Sequence, residues 1–353
     1  MTVAAPARRT RVPRWDPLTV GVDIGGTKIL AGVVDSHGSV VEVQRRPTTG
    51  HDVALVEDTI VDLVQGFQQQ YDVAAVGVGA AGFVDASRST VMFSPHLAWR
   101  DEPLRDRLTA RMSIPVVVDN DANTTALGES RFGAGVGHRF VLCITLGTGI
   151  GGAIVLDGRV YRGANGMAGE FGHMQVVPDG HRCPCGNRGC WEQYASGNAL
   201  EREARELVVA RSPMAHALRE LCGDDPDQLS GPQVTAAAQA GDPISVELIA
   251  DVGRWLGTGV AGLVAAFDPS AVIIGGGVSD AGELLLAPTR DSMVRHLVGR
   301  GYRAEPPVVP AVLGPQAGFI GAADMARSAA RRSRRADRRR DRRGRWFGVR
   351  DEL

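Results

Sequence analysis

Thr19-Val-Gly-Val-Asp-Ile24-Gly-Gly-Thr-Lys28-Ile-Leu-Ala-Gly-Val-Val34 is the stretch on which the fold class of this chain turns. Thr19 to Ile24 reads as a short apolar strand, Gly25-Gly26-Thr27-Lys28 breaks it, and Ile29 to Val34 resumes it. The stretch therefore predicts a hairpin closed by a glycine turn. A Walker loop needs GxxxxGK[ST] opening into a helix, and this turn has neither. The design recurs downstream: Phe140 to Leu146 reads as a strand, Gly147 to Gly152 as a glycine turn, and Ala153 to Leu156 as a second strand. GVVDSHGSVV from Gly32 also parallels GAIVLDGRVY from Gly152, which points to an internal duplication. Because GTGIGG leads into a strand rather than a helix, it is not a dinucleotide fingerprint.

Further elements follow from periodicity. Val40 to Val43 predicts a third strand, and the apolar positions Val53, Val56, Ile60, Leu63, Val64 and Phe67 share one helical face. Ala74 to Gly79 and Pro115 to Asp119 read as strands around a helix near 102–112. Helices are predicted at 124–131, 196–221, 233–240, 244–267 and 318–327, with a buried strand at Ala271 to Ile274. Strands and helices in alternation predict an α/β architecture.

At 353 residues the chain is long enough for two domains sharing a cleft, and 44% hydrophobic with 22% charged residues is ordinary for a globular protein. No run of 18 apolar residues predicts a membrane span, and the basic start lacks the apolar segment of a signal peptide. A cytoplasmic protein is the resulting expectation. The net charge of −1 conceals an asymmetry: residues 327–345 carry +9, which leaves the remainder at −10. That Arg-rich tail lacks apolar periodicity and reads as disordered. Lys28 is the sole lysine, and a compact ammonium beside a phosphate is one reason for a lysine to be there.

Three of the five cysteines fall in Cys183-Pro-Cys185-Gly-Asn-Arg-Gly-Cys190, ten positions after His173. Three thiolates and an imidazole complete a tetrahedral shell for structural Zn²⁺. A disulfide would leave one thiol over, and redox pairs more typically use Cys-x-x-Cys. Glu170 and Glu192 flank this loop, which would hold two carboxylates rigidly around a small polar substrate. Cys143 and Cys222 read as ordinary buried thiols.

Three glycine turns, Gly25-Gly26-Thr27-Lys28, Gly147-Thr148-Gly149 and Gly275-Gly276-Gly277, each follow a strand and would let backbone N–H groups approach phosphate. Together they suggest a nucleotide cleft, with Asp23 placed to help hold Mg²⁺. Asp119-Asn120-Asp121-Ala122-Asn123 ends a strand and opens a helix. Helix capping is its plainer reading. A hydroxyl-directed kinase, however, needs a carboxylate to accept the proton, and Asp121 is the candidate base.

DIGGTK, VDNDAN, LGTGIGG, GEFGH, CPCGNRGCWEQYASG and IIGGGVS occur in the order seen in the ROK family of bacterial sugar kinases and regulators, over about residues 18–326. The chain resembles the ROK glucokinases most. The resemblance implies an actin-like, hexokinase-like (ribonuclease H-like) pair of α/β domains with a cleft between them. It implies glucose, ATP, Mg²⁺ and structural Zn²⁺ as ligands, with Asp121 as base toward the sugar 6-hydroxyl. Asn120, Asp121, Glu170, His173 and Glu192 match sugar ligands, with Gly82 near the pocket; His173, Cys183, Cys185 and Cys190 match zinc ligands. Asp23, Gly25, Gly26, Thr27, Lys28, Gly147, Thr148 and Gly149 match the phosphate side, and Gly275, Gly276 and Gly277 the adenosine side. Other hexoses (mannose, N-acetylmannosamine, N-acetylglucosamine, fructose), polyphosphate as donor, and a non-catalytic sugar-sensing role stand as alternatives. A homodimer or homotetramer is implied. About 18 residues before the first strand are too few for the helix-turn-helix of the family's repressors, so neither nucleic acid nor membrane is expected as a partner.

The predicted organisation is a disordered arm over 1–17 and a small α/β domain over 18–119, completed by a helix over 315–327. A larger α/β domain over 120–314 follows, carrying the zinc loop at 173–190, and then a disordered tail over 328–353.

Overall fold

The computed structural model describes residues 16–48, 52–94 and 97–347, the last thirteen as backbone alone. The first half runs β1 (Leu18–Ile24), β2 (Lys28–Val34), β3 (Val40–Pro47), α1 (Val53–Gln68), β4 (Val73–Ala80), β5 (Phe83–Val84), β6 (Val91–Phe93), β7 (Arg100–Glu102), α2 (Leu104–Arg111) and β8 (Val116–Asn120). Next come α3 (Asp121–Phe132), β9 (Phe140–Leu146), β10 (Ile150–Leu156), β11 (Arg159–Tyr161), α4 (Glu192–Ala195), α5 (Gly197–Val209), α6 (His216–Cys222), α7 (Gly231–Gln239) and α8 (Pro243–Phe267). The chain closes with β12 (Ala271–Gly275), α9 (Glu283–His296), β13 (Val308–Pro310) and α10 (Ala317–Phe347).

Two five-stranded sheets have the same plan: β3-β2-β1-β4-β8 and β11-β10-β9-β12-β13. In each, a three-strand antiparallel meander is extended by two parallel strands. The duplication legible in the two hairpins thus extends to whole sheets. β1 and β4 are buried along nearly all their length, as strands covered on both faces must be, whereas the edge strand β3 alternates. One face of the first sheet packs on α1 and α2 around Val22, Ile60, Phe67 and Leu108, and its other face on α10 through Phe319 and Ala323. The second sheet packs α5, α7, α8 and α9 on one face and α3 on the other. Among the described residues α8 alone is long and apolar enough to cross a bilayer, and most of its apolar window is buried in this core.

Helices α3 and α10 lie against each other between the sheets, and glycine makes that possible. A Cβ on Gly321 would sit 1.8 Å from the Thr124 carbonyl oxygen, and one on Gly21 1.7 Å from that of Phe319. Backbone approaches this close admit no side chain.

The structure corrects the reading of the tail. Residues 328–347, expected to be disordered, continue α10 as helix. Alanine and arginine are good helix formers, proline is absent, and extending a packed helix needs no new nucleus. Residues 1–15 of the expected arm and 348–353 of the expected tail lie outside the described residues.

Candidate active site

The parallel strands of the first sheet end in a row. Ile24 pairs with Ala80 and Ala80 with Asn120, so Gly25, Ala81 and Asp121 leave the same edge side by side. In the second sheet Gly275 pairs with Thr145, which brings Gly147 and Gly276 together at the corresponding edge. A Cβ on Gly276, at φ +86°, would lie 2.4 Å from the Leu146 carbonyl oxygen, so glycine is required there. Helix α3 starts between the two edges, where a Cβ on Gly151 would lie 3.4 Å from that of Ala122.

Asp121 is the first residue of α3 and half-buried. Its Oδ1 accepts from Asn120 Nδ2 at 3.0 Å, and the same amide donates to the Gly82 carbonyl at 3.0 Å. Asn120 Oδ1 caps the helix by accepting from Asn123 N–H at 3.1 Å. The cap of α3 thus falls to Asn120, the residue before Asp121. Gly82 has φ +152°, and a Cβ there would meet Phe93 O at 2.4 Å. The alternation of apolar Val116 to Val118 with Asp119 and Asn120 at the strand end is what delivers these polar groups to the edge.

At the first glycine turn, Gly25 N–H donates to Lys28 O at 3.0 Å and closes the turn, leaving Gly26 and Thr27 exposed at its tip. Asp23 lies behind it, against Gly318 at the start of α10. Burial pushes its carboxyl up to about 7; Asp121 adds to the rise and Lys28 opposes it, which sets all three near one another. Gly147 and Thr148 are exposed, and their carbonyls accept from Gly197 and Asn198 at the start of α5, at 2.8 and 3.3 Å. Cβ atoms on Gly147 and Gly277 would meet nothing, whereas one on Gly149 would lie 2.5 Å from Glu192 Oε2. Gly275 is buried, and Gly276 and Gly277 are exposed above it.

Glu170 and His173 sit on a tight turn pressed on β10, with the Gly169 carbonyl 2.4 Å from where a Gly152 Cβ would be. Glu170 is an exposed residue whose carboxyl is crowded by its neighbours. Loss of water raises its carboxyl, His173 opposes, and Asp121 and Glu192 add to the rise. The cleft therefore gathers Asp121, Glu170, His173 and Glu192.

The ligand atoms of His173, Cys183, Cys185 and Cys190 all lie within 4.8 Å of one another. A tetrahedral Zn²⁺ with Zn–S near ~2.3 Å sets sulfurs ~3.8 Å apart. Cys185 and Cys190 Sγ are 3.6 Å apart, and His173 Nδ1 is 3.7 Å from Cys183 Sγ, so the donor set and spacing fit zinc. The knuckle is closed by Cys183 N–H to Asn187 O at 2.9 Å and Gly186 N–H to Cys183 O at 3.0 Å. Trp191 N–H to Met174 O at 2.8 Å ties it back to the His173 turn. Tyr194 packs between His181 and Trp255 in tilted ring contacts at 5.2 and 4.9 Å, and pins the loop to α8. Glu192 Oε1 lies 3.2 Å from Cys183 Sγ and 3.6 Å from His173 Nδ1.

Sequence reasoning missed the residues behind this row. Asp119, Arg88 and Arg162 meet directly beneath Asn120 and Asp121. Arg100 holds the carbonyls of Ser94, Leu97 and Trp99 around the wall next to Gly82. A carboxylate ending the buried run Val116 to Val118 was the available signal, since it must find a cation.

Residues 19–329 match the sequence model of the ROK family. The glucokinase of Streptomyces coelicolor is 50% identical over 310 residues, 88% of this chain and 98% of that protein. The crystal structure of a ROK family glucokinase from Streptomyces griseus, in complex with glucose and AMPPNP, is similar with a TM-score of 0.80 at 50% identity, over 88% of this chain and 99% of that one. The ROK hexokinase from Thermus thermophilus is similar with a TM-score of 0.73 at 34% identity, over 89% and 99%. The fold is the actin-like, hexokinase-like one that the paired sheets display. On the family match and these likenesses together, the chain belongs to the ROK family.

Proposed function

We propose that this protein is an ATP-dependent glucokinase, converting D-glucose and MgATP to glucose 6-phosphate and ADP. The observation that carries the reading is the gathering of Asp121, Glu170, His173 and Glu192, with Lys28 of the first glycine turn and Gly149 of the second beside them. The half-identical glucokinases support it.

In this reading Asn120, Glu170, His173 and Glu192 hold the sugar hydroxyls, with Gly82 against the ring. Asp121 accepts the 6-hydroxyl proton as that oxygen bonds to the γ-phosphorus. The bond from the γ-phosphorus to the β,γ-bridging oxygen breaks, and the electron pair leaves on ADP. General base action is worth ~10²–10⁴-fold, the remainder coming from positioning and charge stabilisation. The turns at 25–28 and 147–149 receive the phosphates, with Asp23 and Lys28 beside them, and Gly275 to Gly277 border the adenosine. Mg²⁺, when bound, neutralises charge on the phosphates. Zinc would be held by His173, Cys183, Cys185 and Cys190, keeping the loop that carries Glu170 and Glu192 rigid. His173 turns Nδ1 toward the cysteines, which leaves Nε2 for sugar. The reading carries with it a homodimer or homotetramer in the cytoplasm, supported by the resemblance to ROK kinases.

The test is a coupled ADP-release assay over glucose, mannose, N-acetylmannosamine, N-acetylglucosamine and fructose, with ATP or polyphosphate as donor. Glucose with ATP should give the highest kcat/KM. ADP release with none of these sugars, despite measurable glucose binding, would point to a sensor and overturn the proposal.

A further inference from the structure

We propose that Asp119 is a positioning residue for the phosphoryl transfer, held by Arg162 and Arg88 so that one buried ion cluster fixes the catalytic carboxylate of Asp121. This inference rests on the assignment of Asp121 as base.

Asp119 is the penultimate residue of β8 and is 1% exposed. Its Oδ1 accepts from Asn120 N–H at 2.9 Å and from Asn123 Nδ2 at 2.9 Å. Asn120 is the N-cap of α3 and Asn123 lies in its first turn, so the two donors flank Asp121. Its Oδ2 accepts from Arg162 Nε at 2.8 Å and from Arg162 Nη2, and Arg88 Nε lies 3.3 Å away. An ionised carboxylate has about four lone-pair positions, and four donors take them, with the Arg88 guanidinium as a further positive charge alongside. One oxygen therefore sets the α3 turn and the other takes two guanidinium groups.

Those groups come from different parts of the chain. Arg162 follows β11, the edge strand of the second sheet. Arg88 comes from the β5–β6 connection beside the first sheet. Each is held in turn: Arg162 Nη1 donates to Val160 O at 3.0 Å and Arg88 Nε to Val118 O at 3.4 Å, and both guanidiniums reach Met325 Sδ. Arg88 also has φ +60°, a left-handed conformation uncommon for residues other than glycine. That backbone belongs to the Asp85 turn, where Arg88 N–H donates to Asp85 O at 2.9 Å and Ser89 N–H to Asp85 Oδ1 at 2.8 Å, and the turn holds the guanidinium within reach of Asp119.

A buried ion cluster is weak evidence for stability, because well-packed apolar residues can do as well. What such a cluster supplies is one permitted geometry. Productive phosphoryl transfer needs the base within about 0.5 Å of its place. Asp119 is the residue from which Asn120 and Asp121 emerge, so the angle of its carboxylate sets the path of both. The two sheets thereby jointly fix the base, through a contact that never touches substrate.

The experiment compares Arg162→Met, Arg162→Lys, Asp119→Asn and the Asp119→Asn/Arg162→Met double variant of the full chain. Readouts are kcat, glucose KM, glucose Kd by calorimetry, zinc content and thermal unfolding, with Asp121→Asn as reference. Arg162→Met should lower kcat ~10–100-fold, the cost of a small misplacement of a reacting group, while glucose Kd and KM stay within about threefold. Arg162→Lys should recover part of the loss, since a single ammonium cannot reproduce the paired donors. The double variant should be no slower than the worse single one, because both act through one contact. Losses that add, or kcat unchanged in folded Arg162→Met and Arg162→Lys, overturn the inference, as does a fall in kcat that tracks only the loss of folded protein. If Asp121→Asn itself keeps turnover, the assignment of the base fails instead, and the two failures are distinguishable.

Discussion

Gly149→Ala is a perturbation whose size can be worked from distances. Gly149 has no left-handed backbone to lose, so alanine is conformationally allowed. Its Cβ, however, would lie 2.5 Å from Glu192 Oε2, where ordinary contact begins at 3.4 Å. The Glu192 carboxylate must therefore retreat by about 0.9 Å, and a misplacement of that order in a catalytic site costs ~10²-fold. At 1.36 kcal/mol per tenfold this is about 2.7 kcal/mol of transition-state stabilisation. The obstructed atoms are the far end of a flexible side chain, so stability should hardly change. Coupled ADP release should show kcat/KM for glucose down ~10–100-fold, with zinc content and melting temperature unchanged. Glu192→Gln should show little further loss when combined with it. Gly147→Ala is the control: its Cβ meets nothing in the protein, so any effect should appear in the KM for ATP. A kcat/KM within about threefold of the parent, in folded zinc-replete Gly149→Ala, would refute the reasoning, since such a displacement should cost far more.

Asp121→Asn retains an oxygen for Asn120 Nδ2, so glucose binding by calorimetry should persist while kcat falls ~10²–10⁴-fold; near-parental kcat would remove Asp121 as base. Cys185→Ser deletes one of the four zinc ligands, and metal analysis should find substoichiometric zinc together with a raised glucose KM; full activity without zinc would end the structural-metal reading. The Asp23 carboxyl, raised by burial from 3.8 to about 7, binds a proton in the folded chain that the unfolded chain has already released between those values. The contribution of Asp23 to stability should therefore be most favourable below about pH 4 and diminish as pH rises toward 7, by about 4 kcal/mol in all. Asp23→Asn should flatten that part of the curve in thermal melts, and identical slopes for both proteins would count against a buried, proton-retaining Asp23.

The hairpins were legible because alternating apolar residues broken by paired glycines have few other readings. Helix α8 was legible from its long apolar periodicity. Three other kinds of element were not. Helix α9 carries Pro288 in its interior, which argues locally against the helix that its contacts with α8 secure. Strands β5, β6 and β7 have two or three residues each, too short for a period to show. The continuation of α10 past Arg327 is charged and lacks an apolar face in sequence, so it read as solvated coil. At the site, Asp121 and the cysteine knuckle announced themselves because their chemistry is local. Arg162 is 43 residues from Asp119 and Arg88 is 31, and either could pass for a surface arginine until the fold closes. Glu129 is similar: a fully buried carboxylate on α3 accepts from the backbone N–H groups of Ala134, Val312 and Leu313, partners that no spacing rule connects.

The lodging of α10 against β1 and β4 has a consequence for synthesis. Thr19 Oγ1 donates to Ala323 O at 2.9 Å, and Arg327 reaches the carbonyls of Val34 and Asp35. One face of the first sheet therefore stays bare until α10, some 304 residues further along, has been made. Until then its apolar strands are open to the wrong neighbours. Such pairing across the length of the chain is slow to find, so growth conditions that slow translation should lower the yield of native enzyme before any substitution does.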